Sequence, residues 1–123
     1  MAFLNDGVLD AGLQQLTDNV NELHICSQEP TTYAEATSTY TLGNKATPAI
    51  SAPQDRTGGG REVEASAFSD GSVTADGTAT HWAWVDTNAS TLYAAKTLSS
   101  SQSVTNGNTF SLDAHDVAIP DPA

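Results

Sequence analysis

The fold is decided by one stretch: Ala79-Thr80-His81-Trp82-Ala83-Trp84-Val85-Asp86, then Thr87-Asn88-Ala89-Ser90, then Thr91-Leu92-Tyr93-Ala94-Ala95-Lys96-Thr97-Leu98. Side chains alternate along its first segment, with Ala79, His81, Ala83 and Val85 on one face and Thr80, Trp82, Trp84 and Asp86 on the other. Period-two alternation is the signature of a strand, because successive Cβ atoms point to opposite faces. Asn88-Ala89-Ser90 turns the chain back, and Leu92, Ala94, Lys96 and Leu98 then alternate with Tyr93, Ala95 and Thr97. This is a hairpin.

The same grammar extends in both directions. Downstream, Asn106-Gly107 marks a turn into Phe110, Leu112 and Ala114 against Thr109, Ser111 and Asp113, and Val117 and Ile119 close the pattern before Pro120. Upstream, Val63, Ala65 and Ala67 oppose Glu62, Glu64 and Ser66, while Asp70-Gly71 and Asp76-Gly77 read as tight turns. Short strands at this spacing predict an antiparallel β-sandwich or barrel-like domain. Ahead of them, Val8, Leu9, Leu13, Leu16 and Val20 recur at helical spacing, so a helix is expected over about 6–19 with Asn5 or Asp6 as its cap. Gly12 lies near that apolar stripe, where close packing could use it. Leu23-His24-Ile25-Cys26 reads as a short strand, and Thr32–Ala36 as one helical turn. The expected fold is mainly β with one N-terminal helix, a single domain over 1–123.

Between about 44 and 61 the pattern fails. Pro53-Gln54-Asp55-Arg56-Thr57-Gly58-Gly59-Gly60-Arg61 contains three consecutive glycines, which no regular element accommodates cheaply, so an exposed flexible arm is expected. Three of the chain's four basic residues, Lys45, Arg56 and Arg61, fall in this region. They are candidate contacts for an acidic partner, or simply solubilising groups. Trp82 and Trp84 project from the same face of one strand. They read either as core or as a partner-contact surface, since Trp is enriched at interface centres.

Charge excludes several functions. Fifteen Asp and Glu face four Lys and Arg over 123 residues, a net charge of -11. A nucleic-acid binder needs a basic face to displace counterions from phosphates, and an anionic membrane surface makes a similar demand. Met1–Asp6 lacks the basic start and apolar run of a signal peptide, so the chain is expected to act without secretion. Cys26 is the single cysteine and rules out an internal disulfide or a cysteine-based zinc cluster. His24, His81 and His115 are far apart and lack metal-ligand spacing. No Gly-x-Ser-x-Gly elbow is present, and Glu62/Glu64 and Asp113/Asp116 sit where solvated carboxylates are ordinary. Gly58-Gly59-Gly60 lacks the Lys-Ser/Thr of a phosphate loop. No enzyme activity, cofactor or metal is expected.

Two segments carry a resemblance. Leu23-His24-Ile25-Cys26-Ser27-Gln28-Glu29-Pro30-Thr31-Thr32-Tyr33-Ala34-Glu35-Ala36 resembles the early segment of small virion structural proteins of tailed bacteriophages. The His81-x-Ala83-x-x-Asp86 strand, and the Val104-x-x-Gly107-x-x-Phe110 hairpin after it, resemble a β-rich module of the same group. Trp84 stands where that pattern has a smaller aliphatic residue. The resemblance implies a non-enzymatic virion component, and most specifically a capsid decoration, or cement, protein. Its implied partners are the major capsid protein and further copies of itself, as a homotrimer; from its reach and charge, the arm over 44–61 is expected to dock through Arg56 and Arg61. The alternative it allows is a module at the tail tip or fibre that binds a host receptor or carbohydrate, with Trp82 or Trp84 as stacking platforms.

Overall fold

The computed structural model describes residues 5–120; the Met1–Leu4 stretch read above for a leader lies outside them. The fold is mainly β, with a curled antiparallel sheet forming a half-barrel and one N-terminal helix. The chain gathers into two compact units, and it crosses between them at 19/20, 48/49, 67/68 and 112/113. Only the 48/49 crossing carries a Pro or Gly, namely Pro48, in the sequence.

The first unit comprises helix α1 and a three-stranded sheet. Helix α1 spans Asp6–Asn19, as the apolar spacing predicts. Asn5 caps it, its Oδ1 accepting from Gly7 N–H at 2.7 Å. Leu9, Leu13 and Leu16 form its buried stripe. Two strands of the small sheet, β3 (Gln54–Asp55) and β4 (Arg61–Ala65), pair antiparallel as a short hairpin. The third, β9 (His115–Ile119), pairs along the other side of β4. Val63 and Ala65 are buried, as their alternation predicts. A Cβ on Gly12 would meet Ile119 Cδ1 at 3.8 Å, an ordinary contact, so packing does not demand glycine there.

The second unit is a six-stranded sheet. Five of its strands are β1 (Glu22–Cys26), β2 (Thr41–Ala46), β5 (Phe68–Val73), β6 (Gly77–Asp86) and β7 (Thr91–Val104). The sixth is β8 (Thr109–Leu112), and the order across the sheet is β7-β6-β1-β2-β5-β8. The predicted hairpin over 79–98 is β6 and β7, with His81 opposite Thr97 and Ala83 opposite Ala95. Between β1 and β2 the helical turn expected near 32–36 begins at Tyr33 and widens into a π-helical turn, Glu35–Thr39. Tyr40 N–H reaches back five residues to Glu35 O at 2.8 Å. Thr32 Oγ1 accepts from Glu35 N–H, and the Glu35 carboxylate accepts from Thr31 N–H and Oγ1–H, each at 2.8 Å. This capping exchange holds the Glu35 carboxyl below its ordinary range.

Three local expectations are corrected. Asp70-Gly71 is not a turn but the interior of β5, at a register irregularity opposite Phe110. Glycine is required there because a Cβ would lie 2.3 Å from Phe110 Cε1. Asn106-Gly107 does turn the chain, yet its flanking strands do not pair. Gly107 N–H donates to Val73 O and Val73 N–H to Asn108 O, which delivers β8 to β5 at the far edge of the sheet. The arm over 44–61 is also not one flexible segment. Lys45 lies in β2 and Arg61 in β4, 47–53 is irregular apart from a bridge from Ile50 to Ala65, and Arg56–Gly60 is the tip of the β3–β4 hairpin. The tip is closed by Arg56 N–H to Gly60 O and by Gly59 N–H to Arg56 O, both at 3.1 Å. Gly58, Gly59 and Gly60 have φ of 95°, 104° and 91°, a run of left-handed residues that only glycine adopts readily.

Candidate functional site

The three basic residues expected to meet a partner are each engaged within the chain. Lys45 Nζ pairs with Asp70 at 3.0 Å and stands 5.7 Å above the Phe68 ring. Arg61 holds Asp10 bidentately, Nε to Oδ1 at 2.8 Å and Nη2 to Oδ2 at 3.2 Å, and pairs with Asp55 through Nη1. Asp10 above all, and Asp55 after it, hold the guanidinium more firmly protonated than usual. Arg61 therefore ties α1 to β3 and β4 as an internal clamp. Arg56 Nη1 donates to Gly59 O at 2.9 Å across the hairpin tip.

Trp82 and Trp84 are core. They are 2% and 0% exposed, with ring centroids 5.0 Å apart and ring planes tilted by 34°. Their cross-strand partners on β1 are Ile25 and Leu23, which are also buried. Neither ring offers a contact face or a sugar-stacking platform. The opposite face of β6 is buried too: Ala83 and Val85 cluster with Cys26 and Ala36, beneath Tyr33, Tyr40, Leu92 and Ala95. Burial pushes the Cys26 thiol up to about 12, so it is a packing group and not a nucleophile.

One polar constellation was not visible in the sequence. His24 is buried, with Nε2 2.5 Å from Glu22 Oε1 and Nδ1 2.8 Å from Thr41 Oγ1. A carboxylate only accepts, so Nε2 carries the proton and Nδ1 accepts from the Thr41 hydroxyl. Desolvation by burial lowers the His24 pKa, against the opposing pull of Glu22. Carboxylate, imidazole and hydroxyl stand in the order of a nucleophile relay. The constellation bridges β1 and β2 where their register slips between Ile25 and Cys26, and the Thr41 hydroxyl also lies 3.2 Å from Gly43 O. The Glu22/His24 spacing places both on one face of β1, but only the topology brings Thr41 to them. His81, half-buried, lies between the Thr80 and Thr97 hydroxyls at 2.8 and 3.3 Å. Among the described residues no three His, Cys, Asp or Glu gather as a metal site.

The feature that does face outward is the edge strand β7. It runs 14 residues and pairs with β6 on one side. From Gly77 to Leu112, through β6, β7 and β8, the only charged side chains are Asp86 and Lys96. Asp86 is buried and accepts from Asn88 N–H and Ala89 N–H at 2.9 and 3.3 Å. Lys96 is exposed. A chain of net charge -11 thus carries one lane of sheet whose two charges cancel. This signal was present in the sequence as an uneven spacing of acids.

No protein family model matches this chain, and no curated protein or solved structure matches it either.

Proposed function

We propose that this chain is a non-enzymatic structural subunit of a tailed-phage virion, in its most specific form a capsid decoration protein seated on the outer lattice of the major capsid protein. The observation that carries an assembly role is the long, nearly neutral β7 edge. A strand edge presents unpaired backbone N–H and C=O groups, and an edge of 14 residues is a template for another chain unless something covers it. The resemblance of the 23–36 and 81–110 segments to virion proteins supplies the particle. Arg61 and Lys45 are occupied by internal partners, so they are not the docking groups in this reading. Self-association, in the sequence reading a trimer, belongs to it as well.

The test is location. Antibody raised against the purified chain, applied to intact virions of the phage that encodes it, should decorate the head surface in electron micrographs. Label confined to the tail tip would replace the capsid role with host recognition. Virions free of label, alongside a detectable unassembled pool in the infected cell, would overturn the virion reading altogether.

A further inference from the structure

We propose that two copies of this chain pair β7 edge to β7 edge, antiparallel about a twofold axis, through the Thr91–Leu98 half of the strand. The inference goes beyond the virion reading and does not depend on which particle carries the chain.

Three observations locate the contact. First, the distal half of β7 already faces its own chain, since Gln102 Nε2 donates to Ser111 O of β8 at 3.0 Å where the curled sheet brings its two ends together. That leaves Thr91-Leu92-Tyr93-Ala94-Ala95-Lys96-Thr97-Leu98 as the open length. Second, this length holds no Pro and no acid, and its one charge is Lys96. Third, the acids lie elsewhere, at Glu22, Glu29, Glu35 and Asp70 among others in the same unit.

The charge distribution selects the occupant. A basic partner would be drawn to the acidic surface and would gain nothing from a neutral lane. Only a partner with the same excess of negative charge needs one, and the partner certain to have it is another copy. Like charges brought face to face oppose association, so the acidic remainder disfavours every other copy-to-copy contact. Lys96 also restricts the register: a twofold axis on Lys96 itself would set the two ammonium groups opposite each other, whereas other registers set each against a neutral residue. Of the two register irregularities along β7, one leaves Tyr93 unpaired between Leu92 and Ala94 and the other falls between Thr97 and Gln102, so Ala94–Thr97 is the regular run of the open length. An edge paired with its own copy is isologous and closes at two. This contact therefore builds a dimer, not the trimer that the resemblance implies.

The experiment is sedimentation velocity on the full chain at physiological salt from about 1 to 500 μM, a range that spans weak and strong dimers, joined to amide hydrogen exchange at both ends of it. We expect a monomer–dimer equilibrium, with Thr91–Leu98 amides at least tenfold better protected in the dimer. Lys96→Glu places a carboxylate on each side of the axis and should weaken the dimer tenfold or more. Gln28→Glu, an exposed site outside β7, beyond the end of β1, adds negative charge and should change it less than twofold. A monomer throughout the range overturns the proposal. So does a dimer whose β7 amides exchange at the monomer rate, or one equally weakened by both substitutions. If Lys96→Glu unfolds the chain, Lys96→Gln with the same exchange readout decides. A monomeric chain that still binds virions would overturn this pairing and leave the virion reading standing.

Discussion

Replacing Trp84 by Ala separates the two meanings that a Trp-x-Trp pair can have on a strand. Trp84 is fully buried, stacks on Trp82 and lies opposite Leu23. Removing a buried Trp side chain costs roughly 3–5 kcal/mol, the lost transfer energy plus the cavity left behind. Unfolding entropy of about 2.1 cal/mol/K per residue gives about 0.26 kcal/mol/K for this chain. The melting temperature should then fall by roughly 12–19 °C. Trp84→Phe keeps a ring in the site and should cost only roughly 1–2 kcal/mol. A contact residue on the surface would instead stay within about 0.5 kcal/mol, or roughly 2 °C. The assay is thermal unfolding followed by far-ultraviolet circular dichroism, with urea midpoints as a second measure. A Trp84→Ala chain that melts within 2–3 °C of the parent, on a scale where 0.5 kcal/mol is about 2 °C, would refute the core assignment.

Three further outcomes follow from particular contacts. Burial lowers the folded-state pKa of His24 below its ordinary 6.5, so the unfolded chain binds the extra proton first as the solution is acidified. His24 thus contributes stability that is complete above the unfolded value and is lost as pH falls from there through the folded one. Urea midpoints should drop between pH 7.5 and 5.5 in the parent and less steeply in His24→Gln; equal slopes would sink the assignment. Arg61→Ala should lower the melting temperature well beyond Arg56→Ala, because only Arg61 clamps two carboxylates, and equal losses would contradict that clamp. Gly12→Ala should stabilise the helix by about 0.5–1 kcal/mol, whereas Gly71→Ala, driven into the Phe110 ring, should cost about 1–3 kcal/mol. Denaturant midpoints that move the same way for both glycines would refute the packing that distinguishes them.

Helix α1, β1 and the β6–β7 hairpin were legible because each obeys a single local period. The apolar stripe through Leu9, Leu13 and Leu16 and the alternation through Ala83 and Val85 needed no knowledge of neighbours. Strand β2 was not legible, since Thr41-Leu42-Gly43-Asn44-Lys45-Ala46 holds residues of low strand preference. It is a strand because β1 and β5 pair with it on both sides, and Gly43 is there because a Cβ would lie 2.5 Å from Ser72 O. Asp70-Gly71 misled for a related reason. Glycine next to aspartate is turn chemistry, but here its missing side chain makes room for Phe110. The candidate arm failed as one segment because glycines signal irregular backbone and say nothing about what the flanking residues pair with. Arg61 looked free until Asp10, distant in sequence, appeared beside it.

In the proposed pairing, the placement of charge accounts for how so acidic a chain would meet a second copy. Where carboxylates occur in the two units, part of the load is neutralised in place, with Asp10 and Asp55 on Arg61 and Asp70 on Lys45. The chain has only four basic residues, so most of the remaining acids keep their charge and repel a second copy. Repulsion of that kind is not selective by itself, because it acts on every approach. It becomes selective when one surface is spared, and the sheet from Gly77 to Leu112 is spared by composition and not by pairing, since Asp86 is spent on its own turn and Lys96 is the only charge left outside. Backbone groups along an edge strand supply attraction with little specificity. In the proposed pairing, the acidic remainder would supply the specificity by penalising other geometries, and the two features would act together.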